Sequence, residues 1–328
     1  MDTTSHPAPL PVTSPARSPA PDTVLALEFG GTQLRGGLVT SRGELLKVAT
    51  TATQAHRGAA HVLAQADALL ASLRPAGAAS RLRGVGISAA GIIDRQDGRV
   101  LAANDSMPGW AGTALRTHFQ ARLGAELPVW ADNDANCALA GELWRGGHAP
   151  DASAITVMLT LGTGLGGAIA VGAQVLAGAS QRAGHFGSMR VWHARQQAVV
   201  PLESVVSGTG LMNLYHLVAP ADAPRAAGGL EVTRWAADAA APAHAHAQLA
   251  LREWGALLAE FLQDLHMSLD PALVILGGGV LRSQALWWAP LARHLAARGV
   301  PLRLASATLG DEAGLLGAAS RAWQQLTA

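Results

Sequence analysis

The chain has 328 residues, more than a single hydrophobic core usually serves, so two domains are expected. Apolar residues make up 49% and charged residues 14%, which suits large buried parallel sheets better than a disordered or coiled chain. The net charge of +1 gives nucleic acid or an anionic membrane no electrostatic foothold, and the single cysteine, Cys137, excludes both an internal disulfide and a cysteine-built zinc cluster.

Residues 1–22 hold 6 of the 17 prolines, alternating with Ser, Thr and Ala, and such a segment reads as a disordered tail. It lacks the apolar core of a secretory signal and has no room for a helix-turn-helix. No apolar run further on reaches the ~18 residues needed to span a bilayer, so a cytoplasmic protein is expected, with no membrane or nucleic acid as partner.

From Val24 onward strand-like runs alternate with helical patterns, the mark of an α/β chain. "TVLALEF" and "RGGLVT" read as paired strands around a Gly-Gly-Thr turn, with Glu28 as the only charge before that turn. "HRGAAHVLAQADALLASL" has helical spacing, and "RGVGISAAGII" reads as a buried strand entering a glycine turn. "ELPVWADNDANCALAGELWRG" runs from strand straight into helix, which puts Asp134 near a helix N-terminus at the carboxyl end of a strand. Asn and Asp are also favoured as plain helix caps, but one cap needs one such residue and three polar ones stand here in succession.

"ITVMLTLGTGLGGAIAVGAQVLAG" repeats the opening theme, with Thr160-Leu161-Gly162-Thr163-Gly164 lying over Glu28-Phe29-Gly30-Gly31-Thr32. A strand–turn–strand unit present in both halves suggests related domains facing a shared cleft. Gly162, Gly164 and Gly167 also satisfy a dinucleotide fingerprint, but no acidic residue lies between Asp151 and Glu203 and a strand follows the turn, so that match carries little. A glycine hairpin that lets a polyphosphate approach its backbone N–H groups fits both turns better.

The ordered set of motifs, "EFGGTQLRGGLV", "GVGISAAGIID", "DSMPGW", "DNDANCALAGE", "LTLGTGLGGAIAVGAQVLAG", "LVILGGGVL" and "LGDEAGLLGAA", resembles the ROK group of bacterial sugar kinases and sugar-responsive repressors, within the actin-like ATPase superfamily. The resemblance implies an α/β fold of two actin-like, ribonuclease H-like domains flanking a cleft. One would comprise residues 23–134 with 311–328, the other residues 135–310. It implies ATP-dependent phosphorylation of a hexose or N-acylhexosamine, with ATP and Mg²⁺ as cofactors and a homodimer as the assembly. A regulatory sugar-binding protein without turnover is the alternative from another class.

In that resemblance Asp134 is the catalytic base, and Ser106, Asn133, His185, Ser188 and Glu203 face the sugar. Gly30, Gly31, Thr32, Gly162, Thr163 and Gly164 hold the phosphates, Gly277, Gly278 and Gly279 admit the adenosine, and Glu28 orients Mg²⁺ through its waters. The departures are equally specific. Glu28 replaces the usual Asp, Ser106 replaces an Asn, and "AGHFGS" puts His185 and Ser188 where the family usually carries Glu and His. The family's zinc-binding cysteines are missing from "RVWHARQQAVVPLESVVSG", so no zinc site is expected, and His193 reads as a surface loop residue. His244 and His246, two apart, would point from different faces of a helix and read as a solvated segment. A pocket altered at two positions implies a sugar preference other than glucose.

Overall fold

The computed structural model describes residues 20–73, 80–149 and 151–327, so most of the expected N-terminal tail lies outside the described residues. Asp22, placed in that tail by its proline-rich neighbours, instead begins the first strand.

The first half of the chain runs β1 (Asp22–Phe29), β2 (Gln33–Thr40), β3 (Leu45–Ala52), α1 (Ala59–Leu73), β4 (Arg81–Ala89), β5 (Ile92–Ile93), β6 (Val100–Ala102), α2 (Leu115–Leu123), β7 (Val129–Asn133) and α3 (Asp134–Arg145). The second runs β8 (Ile155–Leu161), β9 (Leu165–Val171), β10 (Gln174–Val175), β11 (Arg190–His193), β12 (Ala198–Pro201), α4 (Gly208–Val218), α5 (Gly229–Ala237) and α6 (His244–Leu269). It then closes with β13 (Leu273–Gly277), α7 (Gln284–Ala297), β14 (Leu304–Ser306) and α8 (Ala313–Thr327).

Two five-stranded sheets result, in the orders β3-β2-β1-β4-β7 and β10-β9-β8-β13-β14. They share one topology. In each, an antiparallel hairpin (β1–β2 or β8–β9) supplies the central strand, and two parallel strands follow on its other side. The duplication read in the two glycine turns therefore extends through whole sheets. Because β8 returns directly as antiparallel β9, the glycine turn between them opens no helix, and the dinucleotide reading of Gly162, Gly164 and Gly167 is excluded.

Burial explains the strand types. β1 is buried on both faces, as a central strand covered by helices must be, whereas the edge strand β3 is largely exposed and carries Lys47. Leu25, Leu27, Phe29, Ile87 and Val129 pack with α1, α2 and the buried Trp110 and Phe119. A second core gathers Val157, Leu159, Leu161, Val274 and Leu276 with α4 to α7 around Trp254 and Trp287.

Helices α3 and α8 lie between the sheets. The Ala135, Ala138 and Leu139 face of α3 packs with Met158, Ala168 and Ile275 of the second sheet, while Cys137 packs with Leu315, Ala318 and Ala319 of α8 and with Val24 and Ala26 of the first. The contact is made backbone to backbone. A Cβ at Gly317 would fall inside the Cys137 carbonyl, one at Gly141 would fall on the Ala313 carbonyl, and one at Gly86 on that of Ala318. Fully buried Glu142 adds a clamp from α3, accepting hydrogen bonds from the backbone N–H groups of Thr308 and Leu309, each at 2.9 Å, just ahead of α8.

Gly317→Ala should therefore cost about 2–4 kcal/mol, in the range of severe overpacking, because the group it meets is backbone and cannot turn aside. Gly255→Ala, inside α6 with nothing within 4 Å of its Cβ, should be neutral or stabilising by up to about 1 kcal/mol. Urea unfolding of both variants checks the pair.

Candidate active site

Between the sheets the two glycine turns, the start of α3 and the loop after β13 surround three adjoining cavities. The largest, about 700 Å³, is lined by Glu28, Gly30, Thr32, Gln33 and Arg35 from β1–β2, by Asp134, by Gly277, Gly278 and Gly279, and by Asp311 and Gly314. The next, about 360 Å³, is lined by Gly162, Thr163, Gly208, Gly228 and Val280, and it shares Gly279 and Arg282 with the first. A third of about 290 Å³ holds Asn104, Asn133, His185, Ser188 and Glu203. Asp134 lines both the largest cavity and the third.

Local structure places each group. Asn133 ends β7 and caps α3, its Oδ1 accepting from the N–H groups of Ala135 at 2.9 Å and Asn136 at 3.3 Å. Its Nδ2 donates to the Gly91 carbonyl at 2.8 Å, which ties the cap to the wall of the third cavity. Asp134 is consequently the first residue of α3 itself, with Oδ1 accepting from Ala135 N–H at 2.9 Å. Asp132, third of the polar run, turns away and forms a buried ion pair with Arg95 at 2.8 Å. Gly278 has φ +89°, and a Cβ there would stand 2.6 Å from the Leu161 carbonyl, so only glycine lets this turn lie against β8.

Asp134 opens into the cleft, yet the protein packed around its carboxyl raises its pKa above the ordinary aspartate value. The N–H of Ala135, the Asn133 side chain and nearby His185 work against that rise. Glu28 is pushed up to about 7, first by burial and then by the negative charges of Asp134 and Asp311, against the pull of Arg35. Arg35 stands opposite Glu28 in the β1–β2 register, with Nη1 3.9 Å from Glu28 Oε2, and it also donates to the Asp311 carbonyl. Glu28 Oε2 is buried and has no hydrogen-bond partner among the described residues.

In the third cavity Glu203 accepts from Leu165 N–H at 2.9 Å, and its carboxylate lies where a Cβ of Gly164 would be, so one carboxylate supports the second hairpin and faces this cavity. His185 Nδ1 is buried and has no hydrogen-bond partner among the described residues.

Not every expected residue lines these spaces. Ser106 is exposed and bonds to Asn104, and Asn104 lines the cavity instead. Gly31 sits at the exposed tip of the first hairpin, and Gly164 backs onto Glu203. Arg35, Arg282, Asn104 and Asp311, which no sequence motif assigns to the site, line these spaces as well. The β1–β2 register could have pointed to Arg35, since it sets that residue across from Glu28, whereas nothing local marks Arg282.

The segment expected to lack zinc is a β11–β12 hairpin, held to α6 by the Arg195–Glu253 ion pair. His193 is not a surface loop residue. It is buried at the end of β11, where Nδ1 accepts from Gln196 N–H at 3.2 Å and closes the turn. His244 begins α6, its Nδ1 3.1 Å from the Trp235 carbonyl, so the "AHAHA" segment is helical as expected, but His244 and His246 are half-buried and not solvated.

The paired sheets and their hairpins define the class, a two-domain protein of the actin-like fold. The ROK family model matches residues 24–325, and the chain belongs to the ROK family. It is 32% identical over 300 residues to the beta-glucoside kinase of Klebsiella pneumoniae, covering 90% of this chain and 94% of that protein. It is 29% identical over 310 residues to the N-acetyl-D-glucosamine kinase of Erwinia tasmaniensis, covering 89% and 96%. Among solved structures, the ROK family glucokinase of Streptomyces griseus in complex with glucose and AMPPNP matches with a TM-score of 0.73 and 28% identity, over 92% of this chain and 99% of that one.

The raised Glu28 carboxyl has a thermodynamic consequence. Below its unfolded value of 4.5 it is neutral in both states. Between 4.5 and about 7 the folded protein keeps a proton that the unfolded chain releases, so stability falls as pH rises and the loss is complete above about 7. Calorimetry of the nucleotide-free protein from pH 5 to 8 should show this decline, up to about 3 kcal/mol, and Glu28→Gln should flatten it. Elemental analysis of the purified protein should find no stoichiometric zinc, since thiolates make such sites tight and Cys137 is buried against α8.

Proposed function

We propose that Asp134 is the general base of a phosphoryl transfer from ATP to a sugar hydroxyl, with the sugar in the cavity of His185 and Glu203. The chain is a sugar kinase of the ROK family, as its glucokinase, beta-glucoside kinase and N-acetylglucosamine kinase relatives indicate. The observation that carries the mechanism is the position of Asp134, among the described residues the one ionisable group shared by the largest cavity and the third.

The chemistry follows from what each space offers. The largest cavity, with backbone N–H groups, Arg35 and Arg282, suits a polyphosphate, and the adjoining cavity of Thr163, Gly228 and Val280 suits a nucleoside. The third cavity has carboxylates, an imidazole, amides and a hydroxyl but neither Lys nor Arg, which suits a neutral polyol. Asp134 accepts the proton of the attacking hydroxyl, and its raised pKa strengthens it as an acceptor. Phosphoryl transfer otherwise asks for position and charge, and the hairpins and arginines supply both.

The donor set beside Glu28 fits Mg²⁺. A buried carboxylate oxygen without a hydrogen-bond partner among the described residues, with Asp311 and Asp134 nearby, is a site that a phosphate-bound cation would complete. Glu28, with Asp311 beside it, would hold the ion through water, and bound Mg²⁺ supplies charge neutralisation at the phosphates.

His185 and Ser188 support a substrate preference away from free glucose. An imidazole in place of a carboxylate gives one donor and one acceptor where two hydroxyls could have donated, and Ser188 leaves space for a larger substituent such as a glycosidic one.

Asp134→Asn should keep the fold and lower turnover by about 10²–10⁴-fold, measured as ADP release. Near-normal turnover would remove Asp134 from this role. In the same assay over glucose, N-acetylglucosamine and β-glucosides, free glucose should be a poor substrate. Paired His185→Glu and Ser188→His changes should raise kcat/KM on glucose by roughly 10-fold or more, since a buried hydrogen-bonding group decides which hydroxyl pattern fits. Wild-type activity on glucose above about 10⁴ M⁻¹s⁻¹ would overturn the specificity reading.

A further inference from the structure

Behind the catalytic segment, on the side of Asp132 that faces away from the cleft, lies a separate cavity of about 150 Å³. It is lined by Arg95 from the β5–β6 turn, Arg116 from α2, Trp130 and Asp132 from β7, and Arg321 from α8. Three guanidinium groups therefore meet one carboxylate. We infer that this cavity is a binding site for a compact phosphoryl dianion, inorganic phosphate or the phosphate end of a small monoester, held chiefly by Arg95 and Arg321.

The charges do not balance without such a ligand. Asp132 Oδ2 stands 2.8 Å from Arg95 Nη2 and 3.7 Å from Arg321 Nε, so a single carboxylate is divided between two cations. Arg116 spends its donors on the neutral carbonyls of Val129, Gln96 and Arg95, and its charge is left without a counter-ion in this cavity. The surplus is two positive charges, which is the charge of a phosphoryl dianion. The side chains of Arg95 and Arg321 are only 20% and 18% exposed, so solvent does little to screen them.

Hydrogen bonding points the same way. Arg95 Nη1 donates to the Val175 carbonyl at 2.9 Å, but its Nε and Nη2 are buried and have no hydrogen-bond partner among the described residues, Nη2 lying near Asp132 without the angle of a hydrogen bond. Two adjacent nitrogens on one planar fork, neither hydrogen-bonded among the described residues though Nη2 is ion-paired to Asp132, are the geometry that takes two oxygens of an oxyanion at once. Burial and the neighbouring Arg95 together push Arg321 below the ordinary arginine value, as expected where cations outnumber their counter-ions. The volume admits a small oxyanion but falls well short of the roughly 300 Å³ at which pockets for larger organic ligands begin.

The site is one side chain from the base. Asp132 Oδ1 accepts from Asn133 N–H and from Asn136 Nδ2, both at 2.8 Å, so the carboxylate that faces the arginines also shapes the start of α3.

The test is thermal unfolding of the full chain in phosphate against chloride at equal ionic strength, with β-glycerophosphate as a second arm. At about ten times the dissociation constant, phosphate should raise Tm by roughly 2 °C over chloride. Arg95→Met and Arg321→Met should each abolish that rise, while Arg282→Met in the nucleotide cleft should leave it intact. Where Arg321→Met proves too unstable to measure, Arg95→Met, in a turn and not in a packed helix, decides the matter alone. A matching rise with β-glycerophosphate identifies the monoester as a ligand, and a rise with phosphate alone identifies the free ion. No rise over chloride, survival of the rise in Arg95→Met, or its loss in Arg282→Met would overturn the proposal.

Discussion

The meeting of α8 with α3 is the constraint on which the cleft depends. At Gly317, Gly141 and Gly86 there is no room for a methyl group, so the helices and β4 are held at main-chain distance. Backbone yields far less than side chains, and the interior transmits such a contact without slack. Asp134 begins α3, and the Glu28 carboxylate lies against Gly314 at the start of α8. Their separation across the cleft is thus set by a glycine seam and not by any bond between the two acids. The Glu142 clamp to Thr308 and Leu309 holds the approach to α8 at the same end.

Duplication gives the cleft its pseudo-symmetry, and departures from it give the chemistry. Each sheet presents one glycine turn, yet Glu28 stands at the first and Thr160 at the matching place of the second. Negative charge is concentrated on one side by Glu28, Asp134 and Asp311, with Arg35 set against it. The charges of Asp134 and Asp311 add to burial in raising the Glu28 carboxyl, and a phosphate-bound cation would relieve that repulsion.

The third cavity is built differently. Asn133 acts as cap and tether, holding Gly91 and the head of α3 in place. Glu203 is likewise bound to Leu165 N–H, while His185 keeps a free ring nitrogen in the cavity.

Much of this was legible in sequence because it is local. Alternating burial, the two glycine turns and the strand-to-helix step at "DNDAN" depend on neighbours within a few residues, and backbone geometry alone specifies them. The family resemblance then supplied the domain pairing. What lay outside the sequence's reach was every feature made by residues far apart in the chain. Asn104 and not Ser106 faces the cavity because the turn folds that way, and His193 is buried because β12 and α6 close over a segment that reads as polar. Arg282 enters the cleft through the loop after β13, and Arg95 meets Arg321 across 226 positions. Periodicity carries no record of such pairs, since only the completed packing of sheets and helices brings them within reach of one another.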